Sequence, residues 1–198
     1  MVRKIVKTTN ICTVQERTVS EDFLTNGLQN DRYLKALRLA EQFQSEIAAI
    51  LQQFDQAMVN VQPDLFDPSF DPNVKKARNP GSGLANHRIN HRLTGSKAPD
   101  GNQKLNVHLY WMPPAEYGRT DINGALRAFG YKIKGADTDI DTRVVQQTRA
   151  GDWNVDIADN PYDSNKVFYN HVSSRAEIED AMATLVDHFD TFGDEYGK

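Results

Sequence analysis

The chain has 198 residues, 39% of them apolar and 25% charged, enough for one domain of fair size with a buried core. It carries 23 basic and 27 acidic residues, a formal net charge of −4, and one cysteine, Cys12. A single cysteine excludes an intramolecular disulfide and a multi-cysteine zinc site. No run of about 18 apolar residues is present to cross a bilayer, so no membrane partner is expected.

The first ten residues have the charges of a signal n-region without the apolar stretch that must follow, so a cytoplasmic protein is expected. Ile5, Ile11, Val14 and Val19, set among threonines, predict a first strand. Asn30 is a candidate N-cap, and from Tyr33 a stripe follows a 4-3-4-3 rhythm. It runs Tyr33, Leu37, Ala40, Gln44, Ile47, Leu51, Phe54, Met58, Val61, with Gln44 its only polar member. Neither Gly nor Pro interrupts it, which predicts one helix of roughly 45 Å. The flanking positions (Arg38, Ser45, Gln52, Val59 and Leu39, Glu46, Gln53, Asn60) lack the complementary charges of a zipper. The opposite side is also partly apolar, with Ala36, Phe43, Ile50 and Ala57, and a helix apolar on two sides is normally enclosed by protein. The helix is therefore expected to serve the core first and a homo-oligomer second.

Residues 62–103 read as a long irregular connection. Phe66 and Phe70, each in a Phe-Asp-Pro triplet, are expected to peg it to a surface. Turns follow at 79–83 and 98–102, with a short helix expected over 84–93. Between Pro72 and Pro99 lie Lys75, Lys76, Arg78, Arg88, Arg92 and Lys97 without one carboxylate. That segment is +6, leaving about −10 for the rest of the chain, much of it near the C-terminus (Glu177, Glu179, Asp180, Asp187, Asp190, Asp194, Glu195).

From Lys104 the period changes to two. Leu105, Val107, Leu109 and Trp111 alternate with Asn106, His108 and Tyr110, predicting a strand over Lys104–Trp111. A helix is expected over Asp121–Phe129, capped by Thr120 and stopped by Gly130. Further strands are expected over Tyr131–Lys134, Thr142–Arg149, Trp153–Ala158 and Lys166–Val172. Ser174 and Glu177 form a capping box ahead of a final helix with Ile178, Met182, Leu185, Phe189 and Phe192 in its stripe. The expected class is α+β: a mostly antiparallel sheet of four to five strands with a long N-terminal and a shorter C-terminal helix. Segments 1–61, 62–103 and 104–198 are expected to form one structural domain.

Candidate chemistry centres on Asn86-His87-Arg88, repeated as Asn90-His91-Arg92. Histidines four apart suit a metal, but the neighbouring arginines oppose one and suit a phosphate. Asp137, Asp139 and Asp141 match only the first half of a calcium loop; Thr142 and Thr148 stand where Gly and Glu are required. A phosphate-cradling loop, an acid-acid-lysine nuclease set and paired His-x-Ser motifs are each incomplete, His171-Val172-Ser173 included. Tyr110, Trp111, Tyr117 and Arg119 are a weak stacking platform, and Asp187 and His188 read as solvated helix positions. No cofactor, metal or catalytic residue is expected.

The leading expectation is a non-catalytic, oligomeric binding protein. It would meet a polyanion, nucleic acid in particular, through Lys75, Lys76, Arg78, His87, Arg88, His91, Arg92 and Lys97. An isoelectric point near 5.7 opposes that reading, since dedicated nucleic-acid domains are usually basic. Self-assembly, with the basic loop on an acidic protein surface of its own oligomer, is the alternative. A metal-dependent hydrolase or phosphoesterase comes third.

Overall fold

One antiparallel sheet, with helices on a single face, organises the chain. The computed structural model describes residues 31–75, 87–97, 104–111, 120–121, 124–125 and 128–197. The expected first strand, both loop turns, Lys76, Arg78, Tyr117 and Arg119 lie outside these residues. Two compact units are present, residues 1–43 and 44–198. Of the first, the described part is the opening of helix α1.

In chain order the elements are α1 (Asp31–Val61), a 3-10 turn (Pro63–Leu65), β1 (Asn73–Lys75), β2 (Arg88–Lys97) and β3 (Lys104–Trp111). The two-residue strands β4 (Thr120–Asp121) and β5 (Gly124–Ala125) come next, followed by β6 (Ala128–Lys134) and α2 (Thr138–Ala150). β7 (Asp156–Asp159), β8 (Lys166–His171), α3 (Arg175–Phe192) and α4 (Asp194–Gly197) complete the series. The main sheet has the order β1-β2-β3-β6-β8-β7 with every neighbouring pair antiparallel, while β4 and β5 form a separate hairpin. This is the expected α+β architecture, with the short strand β1 taking the sheet to six strands.

Helix α1 is continuous, and within residues 44–61 the predicted stripe is the buried one: Ile47, Leu51, Phe54 and Met58. Each such side chain contributes about 1.5–3 kcal/mol by leaving water. The helix-facing side of the sheet carries Ile89 and Leu93, then Leu105, Val107, Leu109 and Trp111, then Phe129, Tyr131 and Ile133, then Phe168. Onto it pack α3, through Leu185, Phe189 and Phe192, and α4, through Tyr196. Phe66 is a buried peg, its ring 4.6 Å from His91 and 5.8 Å from Phe189. The capping box at α3 also forms: the Ser174 hydroxyl accepts from the Glu177 amide, and the Glu177 carboxylate accepts from the Ser173 amide at 2.6 Å.

Several segments differ from their predicted form. Residues 88–93 are strand, not helix, because His87, Ile89, His91 and Leu93 alternate as the buried set against Arg88, Asn90 and Arg92. Counting histidine as polar hides that period. The helix expected over 121–129 is replaced by the β4–β5 hairpin and the start of β6, and Gly130 lies mid-strand opposite Tyr110 and Tyr169. The strand expected over 142–149 is helix α2. Asp137 caps it by accepting from the Asp139 amide at 2.7 Å, and Asp141, Val144, Val145 and Thr148 form a buried stripe at helical spacing. His188 is fully buried rather than solvated, and Tyr110 and Trp111 are core residues rather than a platform.

Candidate polyanion-binding face

The second face of the sheet is built by the alternate residues of the same strands. On β2 these are Arg88, Asn90 and Arg92; on β3, Asn106, His108 and Tyr110; on β6, Lys132 and Lys134. Register sets them in rows: Arg88 opposite Tyr110, Asn90 opposite His108 opposite Lys132, and Arg92 opposite Asn106 opposite Lys134. Toward β8 and β7 the same face turns apolar, with Ala128, Val167 and Tyr169 buried together and Ala158 packed beside them. Among the described residues the cationic character of this face thus lies on the β2–β3–β6 side.

The backbone register also sets Lys75 opposite Arg88, and Lys97 opposite Lys104. Lys132 lies between Arg88 and Lys134 and is itself only 3% exposed. Burial holds its ammonium below the usual lysine range; the Asp163 carboxylate pulls the other way, and the charges of Lys134 and Arg88 depress it further. Asp163 is held for this contact by the loop before β8. It pairs with Lys132 through Oδ2, while its Oδ1 accepts from the Asn160 side-chain amide at 2.9 Å and the Asn165 backbone amide at 3.1 Å.

Of the sequence-predicted site residues, the strand separates the histidines from the arginines. His87 and His91 point to the helix side and are buried, so they do not join Arg88 and Arg92 on one surface. His91 Nδ1 meets both Asp55 oxygens of α1, at 3.0 and 3.2 Å, and becomes a link between helix and sheet. Arg92 stacks on Phe70, its guanidinium carbon 4.8 Å from the ring centroid, with the Asp67 carboxylate 3.8 Å away. Phe70 therefore pegs the connection through an arginine. Asp137, Asp139 and Asp141 cap and open α2. No cluster of three or more His, Cys, Asp or Glu side chains placed to hold a metal occurs among the described residues.

Sequence reasoning missed His108, Lys132, Lys134 and Asp163. The available signal was Lys132-Ile133-Lys134: two cations at strand spacing across one deeply buried apolar residue put both lysines on the face away from the core.

Compared with known proteins, the chain matches no family model, no curated protein and no solved structure. Among the described residues, no helix is long and apolar enough to cross a membrane.

Proposed function

We propose that the protein is a non-catalytic, cytoplasmic binding protein that takes a phosphate-rich polyanion, nucleic acid in particular, on the β2–β3–β6 face. The observation that carries this reading is the gathering of Arg88, Lys132 and Lys134 on one face of the sheet by the β2–β3–β6 register, close enough for the charges of Arg88 and Lys134 to act on Lys132. A face that gathers cations gains free energy when phosphates lie over it and counterions are released. Arg88 and Lys134 are the contacting pair. The buried Lys132 supplies field, and His87 and His91 keep the strand in place without touching the ligand.

Fluorescence anisotropy with labelled single-stranded and duplex oligonucleotides tests this. Binding is expected to weaken steeply between about 50 and 200 mM salt, and Arg88→Glu combined with Lys134→Glu is expected to abolish it. Undiminished binding by the double variant, or none by the parent at low salt, would sink the proposal.

Self-assembly is the second reading, supported by the exposed carboxylates Glu179, Asp180 and Asp187 along α3 and by Leu39, 57% exposed on α1. Light scattering of the same variant decides it. A salt-sensitive oligomer that the double charge reversal dissociates, in protein free of nucleic acid, favours self-assembly over the first reading.

A further inference from the structure

We propose that the Arg92 guanidinium, stacked on Phe70, is a seat for an unpaired nucleobase, so that the nucleic acid taken by the cationic face is single-stranded. This rests on the polyanion reading above and narrows it to one class of ligand.

Arg92 stands at the margin of that face, where the connection after α1 runs beside β2. The Asp67 amide donates to the Arg92 carbonyl at 2.9 Å, and Phe66 bridges to Leu93. The guanidinium carbon lies over the half-buried Phe70 ring, 4.8 Å from its centroid. One side of the planar group is thus against an aromatic ring. The side chain is still 42% exposed, which leaves the opposite side open to a second flat group. A guanidinium is weakly hydrated and stacks on π-faces, so a base laid on it displaces little tightly held water. The ring beneath fixes the plane in advance, and less side-chain entropy is lost on binding.

Charge argues for a base there rather than a phosphate. The Asp67 carboxylate, buried, is 3.8 Å from the guanidinium. It is held in place by Ser69, whose amide and hydroxyl donate to its Oδ1 at 3.0 and 2.6 Å. A phosphate at Arg92 would meet that carboxylate; a neutral base does not repel it. The phosphates fall instead to Arg88 on β2 and to Lys134. Lys134 shares a register row with Arg92 across β3, roughly 10 Å away at two strand spacings, so the backbone of the same strand reaches it. Base faces are open to such a seat in an unpaired strand, whereas in a duplex their neighbours cover them. Stacking of this kind tolerates any sequence, since every base has a π-face.

The test is fluorescence anisotropy of the whole protein with three labelled oligonucleotides of equal length: a single strand, the same strand without its bases, and a duplex. The intact single strand is expected to bind roughly tenfold or more tighter than the abasic one, because the two carry the same phosphates and differ in what can stack. Arg92→Lys, which keeps the charge and loses the plane, is expected to close most of that gap. Phe70→Leu, which keeps an apolar peg and removes the ring, is expected to close part of it. Equal binding of intact and abasic strands by the parent overturns the proposal and leaves the polyanion reading standing. A gap that both variants preserve, or a preference for duplex, does the same. Failure of the parent to bind any of the three at low salt overturns the polyanion reading and this proposal together.

Discussion

The Tyr131 hydroxyl lies 2.6 Å from Nδ1 of His188, deep between β6 and α3. The other ring nitrogen, Nε2, is 2.7 Å from the Thr148 hydroxyl oxygen, and that hydroxyl donates to the Val144 carbonyl. With its proton committed, Thr148 accepts from Nε2–H, and Nδ1 is left to accept from Tyr131. A chain of three polar side chains in an apolar core thus fixes one neutral tautomer of the imidazole.

That arrangement predicts an acid-sensitive fold. Burial pushes the His188 imidazole down to about 4 from an ordinary 6.5, so the unfolded chain accepts a proton in a range where the folded one refuses it. The contribution to stability is full above about pH 6.5, falls as pH drops toward 4, and is constant below, roughly 3 kcal/mol in total. Denaturant midpoints measured from pH 7 to 4 on the parent and on His188→Phe check this. The difference between the two is expected to narrow across that window, and parallel profiles would show that His188 does not titrate as described.

Asp141 predicts a second sensitivity. Its carboxylate, on α2, accepts from Tyr196 of α4 at 3.0 Å, and from the Asn165 side chain and the Lys166 amide at 3.1 Å each. Tyr196→Phe removes one donor and is expected to cost about 1 kcal/mol, while Asp141→Ala takes the acceptor from the buried Tyr196 hydroxyl, the part-buried Lys166 amide and one of the two bonds of the Asn165 side chain, and is expected to cost roughly 3 kcal/mol. Urea unfolding measures both; equal losses would mean that the carboxylate's other contacts are inert.

The Asp55–His91 pair is expected to show coupling in a double-mutant cycle. Asp55→Ala and His91→Ala each strand a buried partner, so the double variant is expected to lose less than the sum, by about 1–3 kcal/mol. Strict additivity in chemical denaturation would demote the pair to a coincidence of packing.

Gly193 joins α3 to α4 where there is no room for a side chain. A Cβ there would sit 2.7 Å from the Phe189 carbonyl oxygen and 3.0 Å from a Leu65 methyl. At Gly197 the close neighbour is only a Leu65 methyl, 2.7 Å away, which can turn aside. Gly193→Ala is therefore expected to lower the melting temperature more than Gly197→Ala does. The reverse order would place the tightness at the leucine instead.

The elements legible in the sequence were those whose side chains divide cleanly into apolar and polar. The α1 stripe, β3 with Leu105 to Trp111 alternating against Asn106 to Tyr110, and the Ser174–Glu177 cap all did so. Misreadings came where polar groups are buried with partners from distant segments. His91 counts as a core residue because Asp55 faces it, and His188 because Tyr131 and Thr148 do; in neither case is the partner visible from local pattern. The Val144–Val145 pair read as strand, although Asp141 and Thr148, the polar members of the buried stripe, complete a helical spacing with them. The candidate face is half legible: Arg88 and Arg92, four apart, share one side in a helix and in a strand alike, while Lys132 and Lys134 join them only through β3, which pairs with both β2 and β6.

The loop before β8 belongs to both sides of the sheet at once. Asp163 reaches Lys132 on the cationic face, and two residues later Asn165 grips Asp141 and the Ala136 carbonyl on the helix side. Removing the Asp163 carboxylate would strip the buried Lys132 ammonium of its counter-charge and free the Asn165 amide in the same six-residue connection, so one substitution there is felt on both surfaces of the sheet.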